Sequence, residues 1–347
     1  MNLNFTKNVL VGFIWLLVIS SCDSKLDRAE MYYLSGIDEF QKKDYKKAIE
    51  YFSKSIELNN KFPDCYETRG LSYLKLNNFK AAAADLDRAI ELDVTNDMIY
   101  LHRGIARSGA GNYAGAIEDF DIIEKLYPSE KSFYAKRGYA KYMNRNLSGA
   151  YEDLTKAIFL HPKEPENYNL RGMVERDWKH YKGALKDFDR ALRLDSTNAY
   201  AYIYKAEVKT LIKDYRGALS EYTKAIELDS TDYVPYAERA ALKLKLNDTK
   251  GALVDLDSAV RLGSKQSYLY ENRASVQMRL KDYRSAIDDY TKAIQLEPRS
   301  AYLYHERGLA KSKIGDKKGC LKDIETAVQY DPKTTYYKEN LAYLSQN

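Results

Sequence analysis

The chain has 347 residues, with 55 Lys and Arg against 50 Asp and Glu and a net charge of +5. So even a balance argues against a dedicated nucleic-acid binder, which clusters its basic residues on one surface, and three cysteines are too few for a disulfide framework. Seven Pro and 17 Gly beside 32 Tyr point to a helical chain with short turns and an unusual use of tyrosine.

In chain order, residues 1–21 stand apart. Lys7 precedes an uncharged run from Val9 to Ile19, too short for a comfortable membrane span, and small residues follow it, which is the pattern of a secretory signal. The segment Ile19-Ser20-Ser21-Cys22 resembles a bacterial lipobox. That resemblance implies cleavage before Cys22, a lipid on Cys22, and attachment to a membrane of the bacterial cell envelope, inner or outer undecided. Acyl chains held at about 0.8 kcal/mol per buried methylene make such an anchor firm. Residues 22–28 are then a short tether.

From residue 29 one period covers the chain. Stepping by 34 from Gly36 gives Gly70, Gly104, Gly138, Gly172, Ala206, Ala240, Ala274 and Gly308. Four residues before each stands a tyrosine, from Tyr32 and Tyr66 to Tyr270 and Tyr304. Twelve after comes a small residue, Ala48 through Ala286 and then Cys320, and sixteen after a large apolar one, Phe52 through Ile324. Within a copy the apolar residues recur at helical spacing, as in Ala184, Leu185, Phe188, Ala191 and Leu192. Each copy therefore reads as two helices. The turn between them ends in a helix-capping Asp or Asn in eight copies, Asp44 to Asp316, with His180 the exception. Glycine inside a helix loses about 1 kcal/mol against alanine, so its recurrence predicts close approach of the paired helix, with the tyrosine filling the space beside it. Arg or Lys precedes the small residue in eight copies, and an acid follows sixteen residues later in the same eight. Only the sixth copy changes Arg to Lys, at Lys205, and it alone changes Asp to Glu, at Glu221. These matched exceptions predict an ion pair inside each hairpin.

The aromatic, glycine, alanine, large-apolar and alanine landmarks resemble the tetratricopeptide-repeat signature across residues 29–334. The resemblance implies an all-α, right-handed α-solenoid of nine 34-residue helix-turn-helix hairpins: 29–62, 63–96, 97–130, 131–164, 165–198, 199–232, 233–266, 267–300 and 301–334. A last amphipathic stretch, 335–347, reads as a capping helix over the open end of the stack. Its apolar side is Tyr336, Tyr337, Leu341, Ala342 and Leu344, with Lys338, Glu339 and Asn340 opposite.

By the same resemblance first helices line a concave groove. In copies three to five its positions are Met98, Leu101, Ile105, Ala135, Tyr139, Tyr142, Met143 and Met173, an apolar patch suited to adaptable contact with a peptide or helix. In copies six and eight they are Tyr200, Ile203, Glu207, Tyr268, Glu271 and Arg279, a more polar half. Glu67, Leu71, Leu101 and Ile105 do not make the Lys-Asn-Arg carboxylate clamp of chaperone-binding relatives. His102, His161, His180 and His305 show no metal spacing and are read as surface or turn residues. Cys65 and Cys320 are read as buried, unpaired small residues. No stretch outside the repeats is long enough for a catalytic domain, so the expectation is a protein that is not an enzyme, with no cofactor, no nucleic-acid partner and no small-molecule substrate. It would be a membrane-anchored scaffold or adaptor that binds an unidentified protein or peptide. An envelope glycan-binding protein and a structural spacer are the alternatives.

Overall fold

The computed structural model describes residues 25–92, 96–127 and 131–346, and every regular element among them is an α-helix. The chain is an all-α solenoid whose helices fall into two compact units, residues 1–160 and 161–347. In the first, α1 (Lys25–Gln41) pairs with α2 (Tyr45–Leu58), α3 (Pro63–Lys75) with α4 (Phe79–Glu91), α5 (Ile99–Gly109) with α6 (Tyr113–Leu126), and α7 (Tyr134–Met143) with α8 (Leu147–Leu160). In the second, α9 (Pro165–Asp177) pairs with α10 (Tyr181–Leu194), α11 (Ala199–Leu211) with α12 (Tyr215–Leu228), α13 (Val234–Lys245) with α14 (Thr249–Leu262), α15 (Ser267–Arg279) with α16 (Tyr283–Leu296), and α17 (Ala301–Lys313) with α18 (Lys317–Tyr330). Within each unit the second helix of one hairpin also packs on the first helix of the next, and α19 (Thr335–Gln346) packs on α18.

The signal segment 1–21 and Cys22 lie outside the described residues. Of the stretch 22–28 expected as a tether, residues 22–24 also lie outside the described residues, and α1 begins at Lys25.

One turn geometry joins the two helices of every hairpin. Asp44, Asn78, Asn112, Asn146, His180, Asp214, Asp248, Asp282 and Asp316 each donate their backbone N–H to the carbonyl five residues back. The residue before each has a positive φ: Lys43, Asn77, Gly111, Arg145, Lys179, Lys213, Asn247, Lys281 and Gly315. This is the Schellman end of a helix, closed by one left-handed residue. The Asp and Asn side chains then accept from the N–H three residues on, at 2.8 to 3.4 Å, in the eight hairpins where capping was expected. His180 provides no such cap.

The recurring glycine is explained by its paired helix. A Cβ on Gly104 would stand 2.8 Å from the Phe120 ring, one on Gly172 2.7 Å from Phe188, and one on Gly138 2.8 Å from Leu154. The residue sixteen positions on therefore fills the space beside the glycine, and the expectation that the tyrosine fills it is corrected. Arg69, Arg103, Arg137, Arg239, Arg273 and Arg307 each lie over the tyrosine three residues earlier instead, at 5.3 to 6.0 Å from the ring centre. Residues three apart on a helix share a face, which brings the ring and the guanidinium within reach of each other. None of the nine register tyrosines is fully exposed.

Candidate functional site

The charged register turns inward. All eight expected pairs form, seven of them by an arginine fork: Arg69 meets Asp85 at 2.7 and 2.8 Å, Arg137 meets Asp153 at 2.7 and 2.9 Å, and Arg273 meets Asp289 at 2.7 Å twice. Lys205 reaches Glu221 at 2.9 Å, the longer acid offsetting the loss of the fork. The acids are buried.

Two features of this network escaped the sequence reading. First, the third arginine nitrogen crosses to the preceding hairpin. Arg103 Nη1 reaches Asp87 at 2.8 Å, Arg273 Nη1 reaches Asp257 at 2.9 Å, and Arg239 Nη1 donates to Thr223 at 3.0 Å. Short oxygen-bearing residues sixteen before each arginine were the available signal. Second, a further cation three residues after the small residue supports the same acid. Lys141 stands 2.8 Å from Asp153, Lys243 2.7 Å from Asp255, and Lys311 2.7 Å from Asp323.

Hairpin α9–α10 breaks the second rule. Glu175 occupies the position of those lysines and faces Asp187. Burial first, then the Asp187 charge, pushes the Glu175 carboxyl up to about 7, and its Oε2 has no hydrogen-bond partner. The carboxylate lies over Gly183, where the capping Asp214 and Asp248 lie over Gly217 and Gly251 in the next two hairpins.

The apolar groove residues are divided between packing and exposure. Leu101 and Tyr142 are buried, and Met98 and Ile105 pack half-buried against the Phe120–Phe133 cluster. Ala135 is half-buried. Tyr139, 37% exposed, and Met143, 39% exposed, are the two that offer open surface. Tyr139 lies edge-on to Tyr113 at 6.3 Å, and burial together with that hydroxyl raises its own pKa. Met173 belongs to the second unit, where it packs beside Phe188 and Tyr204. Of the more polar set, Ile203 is buried and Glu207 pairs with Arg176, while Tyr200, Tyr268 and Arg279 are exposed.

Two histidines are not where the sequence reading put them. His305 is fully buried in α17, between Tyr336 and Tyr337 at 5.1 and 4.9 Å. Asn340 Nδ2 donates to its Nε2 at 2.9 Å, and Nδ1 meets Glu306 at 3.0 Å. Asn340 thus belongs to the inner side of α19, with Tyr337, Leu341 and Leu344, whereas Tyr336 and Ala342 are exposed. His102 is half-buried within α5, and burial lowers its pKa. His161 and His180 are exposed between helices, as expected, and Cys65 and Cys320 are buried free thiols. Among the described residues no three His, Cys, Asp or Glu side chains gather as a metal site, and no helix is long and apolar enough to cross a membrane.

Tetratricopeptide-repeat family models match residues 29–62, 67–129, 101–165 and 267–300. The first and last of these coincide with copies one and eight of the sequence reading. The crystal structure of a tetratricopeptide-repeat protein from Parabacteroides merdae aligns with 72% of this chain and 99% of its own, with a TM-score of 0.51 and 18% identity, a likeness of fold. YrrB, a tetratricopeptide-repeat protein described as having an unusual peptide-binding site, aligns with 54% of this chain and 96% of its own, with a TM-score of 0.49 and 20% identity. An uncharacterised protein of Methanocaldococcus jannaschii is 40% identical over 50 residues, which is 14% of this chain and 58% of that relative's length.

Proposed function

The chain is a tetratricopeptide-repeat protein, and from that premise we propose that it is a non-catalytic scaffold that holds a protein or peptide against its first helices. The observation that carries this reading is a division of labour within each hairpin. The tyrosine, glycine, arginine and acid registers recur and are consumed by internal packing and ion pairs, while neighbouring first-helix positions vary and leave aromatic and thioether side chains open, Tyr139 and Met143 in α7 and Tyr200 in α11. Exposed aromatic and methionine side chains are the groups that protein interfaces favour.

Photo-crosslinking tests this directly. A benzophenone amino acid placed at Tyr139 or Tyr200 in the full chain, in its native envelope, is expected to capture a protein. The same probe at Phe159 in α8 or Val254 in α14, exposed apolar residues of second helices, is expected not to. Capture from the second helices alone rejects the groove, and capture of glycan alone favours the carbohydrate reading.

The same proposal places the chain in a bacterial envelope through a lipid on Cys22, supported by the run Val9 to Ile19 and the Ile19-Ser20-Ser21-Cys22 segment. An alkynyl fatty acid fed to cells should label the wild-type chain and leave Cys22→Ser unlabelled and released from membranes. Equal labelling of both rules the anchor out.

A further inference from the structure

We propose that hairpin α9–α10 binds a monovalent cation of ammonium size, such as potassium, between the carboxylates of Glu175 and Asp187. The site stands apart from the surface that the scaffold reading uses.

The position three residues after the small residue of each first helix sets the charge balance of its hairpin. In five hairpins it supplies a cationic nitrogen to the acid of the second helix: Arg107, Lys141, Lys209, Lys243 and Lys311 stand 2.6 to 3.1 Å from their acids. Two of these nitrogens also donate to a carbonyl of that second helix, Arg107 Nη1 to Gly115 at 3.4 Å and Lys243 Nζ to Gly251 at 3.3 Å. Acid and carbonyl together cradle one positive charge.

Hairpin α9–α10 keeps the acid, Asp187, and the carbonyl, Gly183, but places Glu175 at the cation's position. Glu175 is 8% exposed, and its Oε2 has no hydrogen-bond partner. Among the described residues this is the one carboxylate oxygen so buried and unpartnered. Glu67, another buried acid, accepts from Asn96 Nδ2 at 2.5 Å. Hairpin α1–α2 shows what an acid at this position requires. Glu39 occupies it there, and Lys42 and Lys47 reach its carboxylate at 3.2 and 3.1 Å. In α9–α10 the places of those two lysines are taken by Trp178 and Gly183. Arg171 is committed to Asp187 through its fork, and Lys179, Lys182 and Lys186 are exposed. Two buried carboxylates therefore share one buried guanidinium, which leaves one negative charge over. An uncompensated buried carboxylate is costly.

Side-chain length places the cation. Glutamate and lysine are alike as far as Cδ. Lys141 Cδ would lie 3.1 Å from a Cβ on Gly149, and Glu175 Cδ 2.5 Å from one on Gly183, the equivalent glycine. Glu175 thus follows the path of the lysine over the second helix and ends in oxygens where the lysine runs on for two more bonds to Nζ. The place that Nζ reaches in α7–α8 is flanked in α9–α10 by oxygens of Glu175, Asp187 and the Gly183 carbonyl. Gly183 also lines a cleft of about 500 Å³ with Tyr181, Leu185 and Ile212, a route for an ion from solvent. The charge left over selects a single positive charge. Calcium takes about six to eight oxygens and magnesium a strict octahedron, more than these groups offer, whereas potassium is close to ammonium in size. A proton is the competing occupant, since burial and the Asp187 charge raise the Glu175 carboxyl to about 7.

Hydrogen exchange of α9 and α10 in the full chain tests this, because exchange reads local opening. Potassium chloride is compared with choline chloride at equal ionic strength, so that screening is matched and only potassium fits the site. At about pH 8, where the carboxyl is ionised, potassium at about ten times its dissociation constant should slow exchange about tenfold. Exchange in α17 and α18 should not change. Glu175→Gln should exchange alike in the two salts, and Glu175→Lys, which carries its own ammonium, should match potassium-loaded wild type in either. Both variants remove a buried repulsion, so folding is retained. Equal exchange of the wild type in the two salts overturns the inference. So does a potassium effect that persists in Glu175→Gln, or protection by magnesium and none by potassium.

Discussion

Asp289 isolates the worth of the buried ion pairs. In most hairpins the acid has two cations, but here the second position holds Gln277, whose Oε1 has no partner, and Arg273 alone pairs with the carboxylate. Arg273→Met leaves a buried charge uncompensated and should destabilise the chain by about 3–5 kcal/mol, whereas adding Asp289→Leu should restore most of that. Urea unfolding of the two variants checks both directions. The opposite defect is Glu175, a carboxylate where Lys141, Lys209 and Lys243 stand in other hairpins. It faces Asp187 on α10, with Arg171 on its own helix and Lys186 on α10 acting against the shift. Its folded pKa of about 7 lies above its ordinary value of 4.5. Folding therefore favours the protonated form: the group's stabilising contribution is whole below about pH 4.5 and is lost as pH rises through about 7. Glu175→Gln should match wild type near pH 4.5 and exceed it by on the order of 1–3 kcal/mol at pH 8. A difference that does not change with pH would remove Glu175 as the cause.

At the scale of the helix, hairpin α9–α10 departs from its neighbours twice, and the departures are coupled. His180 stands at the capping position without capping and stacks on Trp178 at 4.8 Å instead. The Glu175 carboxylate occupies the space over Gly183 that a capping side chain needs. His180→Asn alone should therefore gain little. With Glu175→Lys in place, the same change should gain about 1 kcal/mol, the usual worth of a cap, so that a double-mutant cycle on melting temperature is non-additive. The capping residues were legible because Asp and Asn recur at one register. The left-handed residue just before them was not, because Lys43, Arg145, Lys179, Lys213 and Lys281 carry no mark of a positive φ. That conformation is imposed by the Schellman closure, in which the next N–H must reach back five residues. The ion pairs were legible through the Lys205–Glu221 exception, but the crossing from Arg103 to Asp87 was not, since it joins two hairpins rather than two registers of one. The groove reading overreached for a related reason. Spacing marks which positions lie on the first-helix face, but whether Leu101 or Tyr142 opens to solvent depends on the bulk of the neighbouring hairpin.

At the scale of the whole chain, a solenoid is stabilised by nearest-neighbour contacts, so damage should stay local. The capping helix α19 gives the clearest case. It covers His305 with Tyr336 and Tyr337 and engages its Nε2 through Asn340. The sequence identified the cap from its amphipathic pattern but set Asn340 on the wrong side, because a hydrophobic stripe says nothing of a polar side chain held by a buried histidine. Deleting residues 335–347 exposes His305 and removes the packing of α19 on α18. Hydrogen exchange should then speed up in α17 and α18 and remain unchanged in α9 and α10, four hairpins away. Asn340→Leu in the full chain should reproduce a fraction of that effect, since it keeps the apolar cover and leaves the buried Nε2 without its donor, a loss of roughly 1–3 kcal/mol. Were exchange to rise equally along the whole second unit, the helices would be folding as one cooperative block, and the picture of separable hairpins presenting separately tuned surface would have to be abandoned.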